Sequence, residues 1–370
     1  MSKIKENTKP RRTVKWHWQE KLATGYLLIF LLTVLFGLPA GWLPDPNKIN
    51  LAQVYYPPFS FSKMVGQETI HWLGTDQLGR DVLANLVVGA QTALLVSVPA
   101  MALATLIGIT LGSLAGFWGD TGFRISLISF IVSLVLLFLA IYYGFYIQQF
   151  HWVHAFQSGS RSVLGKLGNA LLIFVFLSFC GWLLVKVLKR LGLKRQITLP
   201  LDQIVLKTIE VIGSVPRLLL IMCLVAFTQP ALRNIVLLAT LTYWASIARL
   251  VRSELLQVKE LPYVQAARVA GLSESRILFR EALPNALPPV VVAVAFGLGN
   301  LMSLEATLSF LEVGIPADVA SWGRMIKGIK ANSEAWWLLF FPAFTLCCTI
   351  LSLQVIAQRV LKWMSPTRNN

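Results

Sequence analysis

The chain has 370 residues, of which 56% are hydrophobic and only 14% charged, and its mean hydropathy is +0.65. Soluble domains carry about 25% charged residues, so this composition excludes a water-soluble globule and demands burial in lipid. The formal net charge of +16 would suit nucleic acid, but no interleaved basic and aromatic surface accompanies it.

A transmembrane helix needs about 20 apolar residues. Eight runs qualify in chain order: Leu22–Trp42, Ala90–Phe117, Phe123–Ile147, Leu167–Leu188, Ile204–Phe227, Ile235–Val251, Ala286–Leu311 and Trp336–Leu361. Proline and glycine inside some of them are tolerated in transmembrane helices. The first run exceeds a signal-peptide core and no small-x-small cleavage site follows it. Trp42 and Pro44 close it as an interfacial anchor would, so it reads as a retained first helix. Basic residues gather at the N-terminus (Lys3 to Lys21), near residue 190 (Lys186 to Arg195), between Arg249 and Arg280, and at the C-terminus (Arg359 to Arg368). Eight crossings put all four segments on one side, and the positive-inside rule makes that side cytoplasmic.

After the first run, Pro44–Gly89 is a polar outer segment that leads into GTDQLGRDVLANLVVGAQTALL, Gly74–Leu95. Asp76 suits the cap of a short turn, and Arg80 and Asp81 suit pairing or local hydrogen bonding. That reading orders a loop; a direct solute contact is the alternative. In the next run Ala100, Ala104, Gly108, Gly112 and Gly116 recur every four positions. Such small residues let backbones approach closely, within this chain or against a partner. Residues 123–200 hold two further apolar runs joined by QQFHWVHAFQSGSRS, Gln148–Ser162. His151 and His154 lie one helical turn apart with no third ligand in view, and read as interfacial histidines. Cys180, Cys223, Cys347 and Cys348 are scattered through apolar runs, as packing thiols would be.

The stretch Tyr263–Pro284, YVQAARVAGLSESRILFREALP, is a polar, basic insert between apolar runs. Pro262 suits the first helical position, and Gly271 the left-handed residue that closes a helix. Ser273 suits the cap of the next helix, which Pro284 should end. The expectation is helix, glycine turn, helix on the water side of a membrane. Within the apolar runs, Glu305 calls for a structural hydrogen bond or a place on a pathway or gate. Arg217, after Pro216, lies inside another run and is a possible partner for it; Glu210 is equally ambiguous. The chain has no G-x-x-x-x-G-K-[ST] phosphate loop, so it should not hydrolyse ATP. It shows no catalytic constellation, and no metal or cofactor is expected.

Gln265-Ala266-Ala267, then Gly271, then Leu283-Pro284 resembles the coupling-loop signature of ABC importer permeases, with Gln265 in place of the usual Glu. The Gly74–Asp81 box resembles that of oligopeptide and dipeptide permeases. Resemblance resumes at Leu201 and runs to the end through Ser214, Pro216, WASIARLVRSELLQVKELPYVQAARVAGLS, LPNALPP, EATLSFLEVGIP and Ser321-Trp322-Gly323-Arg324-Met325. Glu312 departs from it, standing where a Gly is usual. The resemblance implies an all-α polytopic membrane protein with a type I importer transmembrane domain, a six-helix pattern plus an inserted pair. Its parts would be a cytoplasmic segment 1–21, first helices and outer segment 22–122, an inserted hairpin 123–200, and a permease core 201–370 with coupling loop 253–284.

The function so implied is that of a permease subunit of an ATP-driven, binding-protein-dependent importer of peptides or similar small solutes in a bacterial inner membrane, with both termini cytoplasmic. It implies a second permease, two ATP-binding subunits or domains, and an external solute-binding protein. Tyr263, Gln265, Ala266, Ala267, Arg268, Gly271 and Leu272 would couple to the ATPase. Glu305 and Arg217 would be intramembrane pathway or structural residues. A secondary transporter driven by protons through Glu305 would favour inverted repeats, and none is evident. A membrane enzyme or structural protein would leave the loop unexplained. The solute stays open among dipeptide, oligopeptide, peptide antibiotic, glutathione and metal chelate.

Overall fold

The computed structural model describes residues 16–36, 45–46, 48–64, 67–120, 122, 124–143, 174–187 and 196–364. His151, His154 and most of the terminal basic residues lie outside this set. The described helices are α1 (Trp18–Phe36), α2 (Val82–Ser113), α3 (Leu127–Ile141), α4 (Phe174–Val187), α5 (Leu201–Gly213), α6 (Arg217–Val225), α7 (Leu232–Val258), α8 (Pro262–Val269), α9 (Glu274–Ile277), α10 (Leu283–Phe310), α11 (Trp322–Lys327) and α12 (Trp337–Met364). Two short antiparallel ladders accompany them, β1 (Ser60–Met64) with β2 (Gln67–His71), and β3 (Arg124–Ser126) with β4 (Gln196–Thr198). The fold is thus essentially all-α.

Each of the eight apolar runs contains helix, but they are not equal. Among the described residues, five helices are long and apolar enough to cross a membrane, and the pair α5–α6 adds a sixth if counted as one broken span. The described part of α3 is 15 residues long. The chain divides into two compact units, one of residues 1–117 and 205–370, the other 118–204. In the second, Gly181 of α4 packs on Val132 and Leu136 of α3.

The larger unit is organised by α2 against α7. A Cβ on Gly108 would stand 2.7 Å from Ile247, on Gly112 2.6 Å from the Ala248 carbonyl, and on Gly116 2.8 Å from that of Arg252. The small-residue stripe is therefore spent inside this chain, where it allows two backbones to close. Phe30, Val34, Ala90, Ala93, Met302 and Trp322 form a buried apolar cluster. Tyr26 of α1 donates to the Thr345 carbonyl of α12 at 3.0 Å, and Glu20 pairs with Arg359 at 3.4 Å.

The Gly74–Asp81 box is ordered as a turn. Asp76 Oδ1 accepts from the Leu78 and Arg80 amides at 2.8 and 2.9 Å. Of the two local roles expected of Arg80 and Asp81, Asp81 takes the hydrogen bond: it caps α2 through the Ala84 amide at 2.9 Å and holds His71 Nδ1 at 2.9 Å, and it does not pair with Arg80. A helix N-terminus attracts a carboxylate by its unsatisfied amides, and this outweighs a contact to the neighbouring guanidinium.

Candidate functional site

After α7 ends, Leu261 takes an extended conformation and Pro262 opens α8 at a first-turn position. The end of α8 is closed by two hydrogen bonds: the Gly271 amide donates to the Arg268 carbonyl at 2.9 Å, and the Leu272 amide to the Ala267 carbonyl at 3.2 Å. This is a Schellman closure, with Gly271 left-handed at φ +78°. A Cβ there would meet nothing within 4 Å, so the dihedral and not the space calls for glycine.

Two expectations need correction. Ser273 occupies the cap position of α9, but its hydroxyl makes no capping hydrogen bond. Pro284 does not end the second helix. A π-turn at Leu278–Ala282 joins α9 to α10, and the helix continues from Glu274 to Phe310. The Leu283 amide reaches back to the Leu278 carbonyl, five residues earlier. That widened turn makes room for Pro284, which brings no N–H and would crowd a regular α-turn.

The loop is held from within. Val264 is fully buried. The Gln265 side-chain amide donates to the Lys259 carbonyl at 3.2 Å, and Lys259 Nζ to the Gly116 carbonyl at 3.2 Å. Arg268 forks onto both oxygens of Glu274 at 3.1 and 3.3 Å and lies 5.6 Å over the Phe117 ring. It thus clamps the two loop helices to each other. Glu274 joins the predicted loop residues through this pair, and the signal for it in the sequence is an opposite charge across the glycine turn from Arg268. Desolvation raises the Tyr263 phenol pKa, and a hydrogen bond with Asn285 opposes the rise.

Of the seven predicted coupling residues, Tyr263, Gln265, Ala266 and Gly271 are exposed, and Ala267, Arg268 and Leu272 are half-buried. Beside them Val269 is 90% and Phe279 64% exposed. Both are apolar side chains left open on a polar, basic loop.

Glu305 and Arg217 are not brought together. Glu305, wholly buried in α10, accepts from the Ser321 hydroxyl at 2.7 Å. Ser321 Oγ in turn accepts from the Gly323 amide at 3.2 Å, opening α11. Arg324 fastens the preceding loop by donating to the carbonyls of Pro316, Ala317 and Val319. Glu312 is left-handed at φ +58° and pairs with Lys327, which lowers its pKa. A carboxylate thus occupies a conformation that favours glycine. Arg217, at the start of α6, donates to the Ser246 hydroxyl at 2.9 Å and stacks over Tyr243 at 3.9 Å. Among the described residues no group of three His, Cys, Asp or Glu side chains is placed to hold a metal ion.

Residues 191–369 match the family described as binding-protein-dependent transport system inner membrane component. The chain is 27% identical over 349 residues to the oligopeptide transport system permease protein OppC of Bacillus subtilis (strain 168), covering 94% of this chain and 86% of that one. It is 27% identical over 352 residues to the dipeptide transport system permease protein DppC of the same organism, covering 94% and 82%. With the probable D,D-dipeptide transport system permease protein DdpC of Escherichia coli (strain K12) it shares 25% identity over 342 residues, covering 92% and 85%.

Proposed function

We infer that this chain, whose residues 191–369 belong to the binding-protein-dependent transport family, is the membrane permease subunit of a peptide ABC importer. The relatives named for oligopeptide and dipeptide transport support the solute class. The observation that carries the mechanism is the closed helix–glycine–helix unit of Pro262–Ile277, anchored inward by Val264 and outward-facing at Gln265, Ala266 and Val269.

The unit is built as a lever. Its two helices are joined by the Arg268–Glu274 clamp, and its second helix runs without a stop into the span α10. An ATPase groove that takes α8 therefore moves α10 with it. ATP-driven closure of two ATPase subunits would tilt the bundle from inward-open to outward-open, and an external binding protein would then release solute into the path. This is coupling between separate sites through a rigid element. ATP would be bound by the partners, since this chain has no phosphate loop. A second permease would complete the path.

The basic loops support a cytoplasmic position for this lever and for both termini. Residues 123–200 then read as an inserted hairpin, which crosses twice and leaves the flanking blocks in their orientation. The separate compactness of residues 118–204 supports that reading.

The test is co-purification with the ATPase subunits, alongside uptake. Ala266→Asp puts a charge on the exposed face of α8 and should reduce both, with membrane abundance unchanged. Normal association and uptake would remove this loop as the docking element.

A further inference from the structure

We propose that the break between α5 and α6 is an oxyanion site that receives a carboxylate of the transported solute, with Arg217 and Arg249 as its charged walls. The solute part of this proposal rests on the importer reading above.

The two helices meet at an 80° bend, and Ser214, Val215 and Pro216 between them are exposed. Irregular backbone at membrane depth is tolerated only where protein covers it or a water-filled cavity adjoins it. Here a cavity of about 260 Å³ adjoins it, lined by Gly213, Pro216, Arg217, Thr242, Ser246 and Arg249 among others. Thr242, Ser246 and Arg249 stand on one face of α7, at the spacing that makes side chains neighbours along a helix.

Three sources of positive charge converge on this cavity. The Ser246 hydroxyl and the Tyr243 ring fix the Arg217 guanidinium in place, and the bond to Ser246 uses one of its five N–H donors. Arg249 crosses from α7 to α5, with Nη2 3.9 Å from where a Gly213 Cβ would stand. The third is the start of α6, where Pro216 brings no capping side chain. The amides of Arg217, Leu218 and Leu219 lack acceptors within the helix, which carries about half a positive charge at that end.

The opposing charge is small. No carboxylate pairs with Arg217 or Arg249 among the described residues. Glu210, on the same helix α5, is exposed and paired with Lys207 at 3.0 Å. The carboxyl end of α5 offers about half a negative charge, which offsets less than one guanidinium. Arg217 lies inside an apolar run, where a charged group is expensive and marks a solute or ion path. Two guanidinium forks suit a carboxylate, which accepts paired N–H donors.

The cavity also limits the ligand. Sites that enclose small molecules run from about 300 to 1,000 Å³, so this one suits a carboxylate end and its adjoining residue. A whole oligopeptide would extend beyond it. An anionic lipid headgroup presents the same oxyanion chemistry through phosphate, and the test must separate the two.

The experiment uses the whole importer complex in nanodiscs. Phenylglyoxal modification of Arg217 and Arg249 is followed by peptide mass spectrometry. Alanyl-alanine should slow modification of both arginines, whereas alanyl-alanine amide should not. Arg217→Gln should weaken the protection of Arg249 about tenfold or more, as loss of a charged hydrogen bond does. Arg217→Lys keeps the charge and should retain part of the protection, so a folding failure in the Gln variant does not decide the matter. Equal protection by acid and amide, or none by either, would overturn the site. Protection that appears only in phosphatidylglycerol discs, and not in phosphatidylcholine, would assign it to a lipid headgroup instead. Uptake by proteoliposomes with the binding protein separates the two readings. ATP-dependent uptake without protection removes the site and leaves the importer. Protection by the free acid without uptake of any peptide removes the peptide importer and leaves the site.

Discussion

Two short helices follow long spans in this chain, and they are treated in opposite ways. The helix α8 has eight residues and shows Gln265, Ala266 and a 90% exposed Val269 to its surroundings. The helix α11 has six residues and is swallowed by its own chain. Trp322 is wholly buried, donates Nε1–H to the Leu86 carbonyl at 2.9 Å, and lies against Gly89 and the Phe30 ring. A Cβ on Gly323 would run into the Ala306 carbonyl. Both helices start and stop by ordinary local rules. What separates them is cover: α11 has its partner within the chain, and α8 leaves side chains such as Val269 uncovered by this chain.

Damage should follow that difference. The largest effect is expected at Trp322→Ala, since truncating a buried tryptophan costs about 3–5 kcal/mol. Thermal unfolding in detergent should show a large loss of stability, and membrane abundance should fall. A near-normal unfolding temperature would mean that α11 is not part of the core.

Gly271→Val comes next and differs in kind. The left-handed conformation costs a β-branched residue about 1–2 kcal/mol, and it does so in an exposed loop. Abundance and unfolding temperature should stay near those of the parent while ATPase co-purification and uptake drop. A variant that loses stability as Trp322→Ala does would break the comparison.

The Gly74–Asp81 turn belongs with the covered class, since Trp337 donates Nε1–H to the Thr75 carbonyl at 3.1 Å. Its Asp76 has a raised pKa, chiefly from desolvation, which the Arg80 and Leu78 amides partly oppose. A carboxyl raised in the folded state contributes stability below its unfolded pKa, and that contribution is lost as pH rises through the folded value. Asp76→Asn keeps an oxygen for both amides and cannot ionise. Its stability relative to the parent should therefore improve from pH 4 to pH 7, read by tryptophan fluorescence during heating. A difference that is flat with pH would show that Asp76 is not held against ionisation.

The smallest effect is expected at Gln265→Glu. Glutamate cannot donate to the Lys259 carbonyl, but an exposed substitution usually changes stability by no more than about 0.5 kcal/mol. Unchanged stability with altered ATPase retention would show that the partner reads this side chain. Unchanged retention would leave the contact to Lys259 as its only role.

The loop was legible because its signals are local. Pro262 and Gly271 act through the backbone conformations that their own chemistry allows, and the neighbouring residues need only close one turn. Pro284 does not stop its helix because a proline's effect depends on whether the preceding turn can widen, and the π-turn at Leu278–Ala282 does so. The stripe from Ala100 to Gly116 announced close packing, but periodicity is blind to the partner, which proved to be α7. Glu305 was recognised as costly, while its hydrogen bond to Ser321 spans 16 positions and a loop.

The sequence by itself determined that the chain enters a membrane and that a glycine-closed helix pair interrupts its apolar helices. Hydrophobic run length, missing N–H groups and left-handed dihedrals are properties of single residues and short segments. Only the tertiary structure decided which buried polar groups meet and which faces stay uncovered. Arg217 found Ser246 and Tyr243 rather than Glu305, and Arg268 turned inward to Glu274. Such pairings depend on how whole helices cross. A polar group inside a low-dielectric interior must find a partner, but its identity comes from the packing of distant segments.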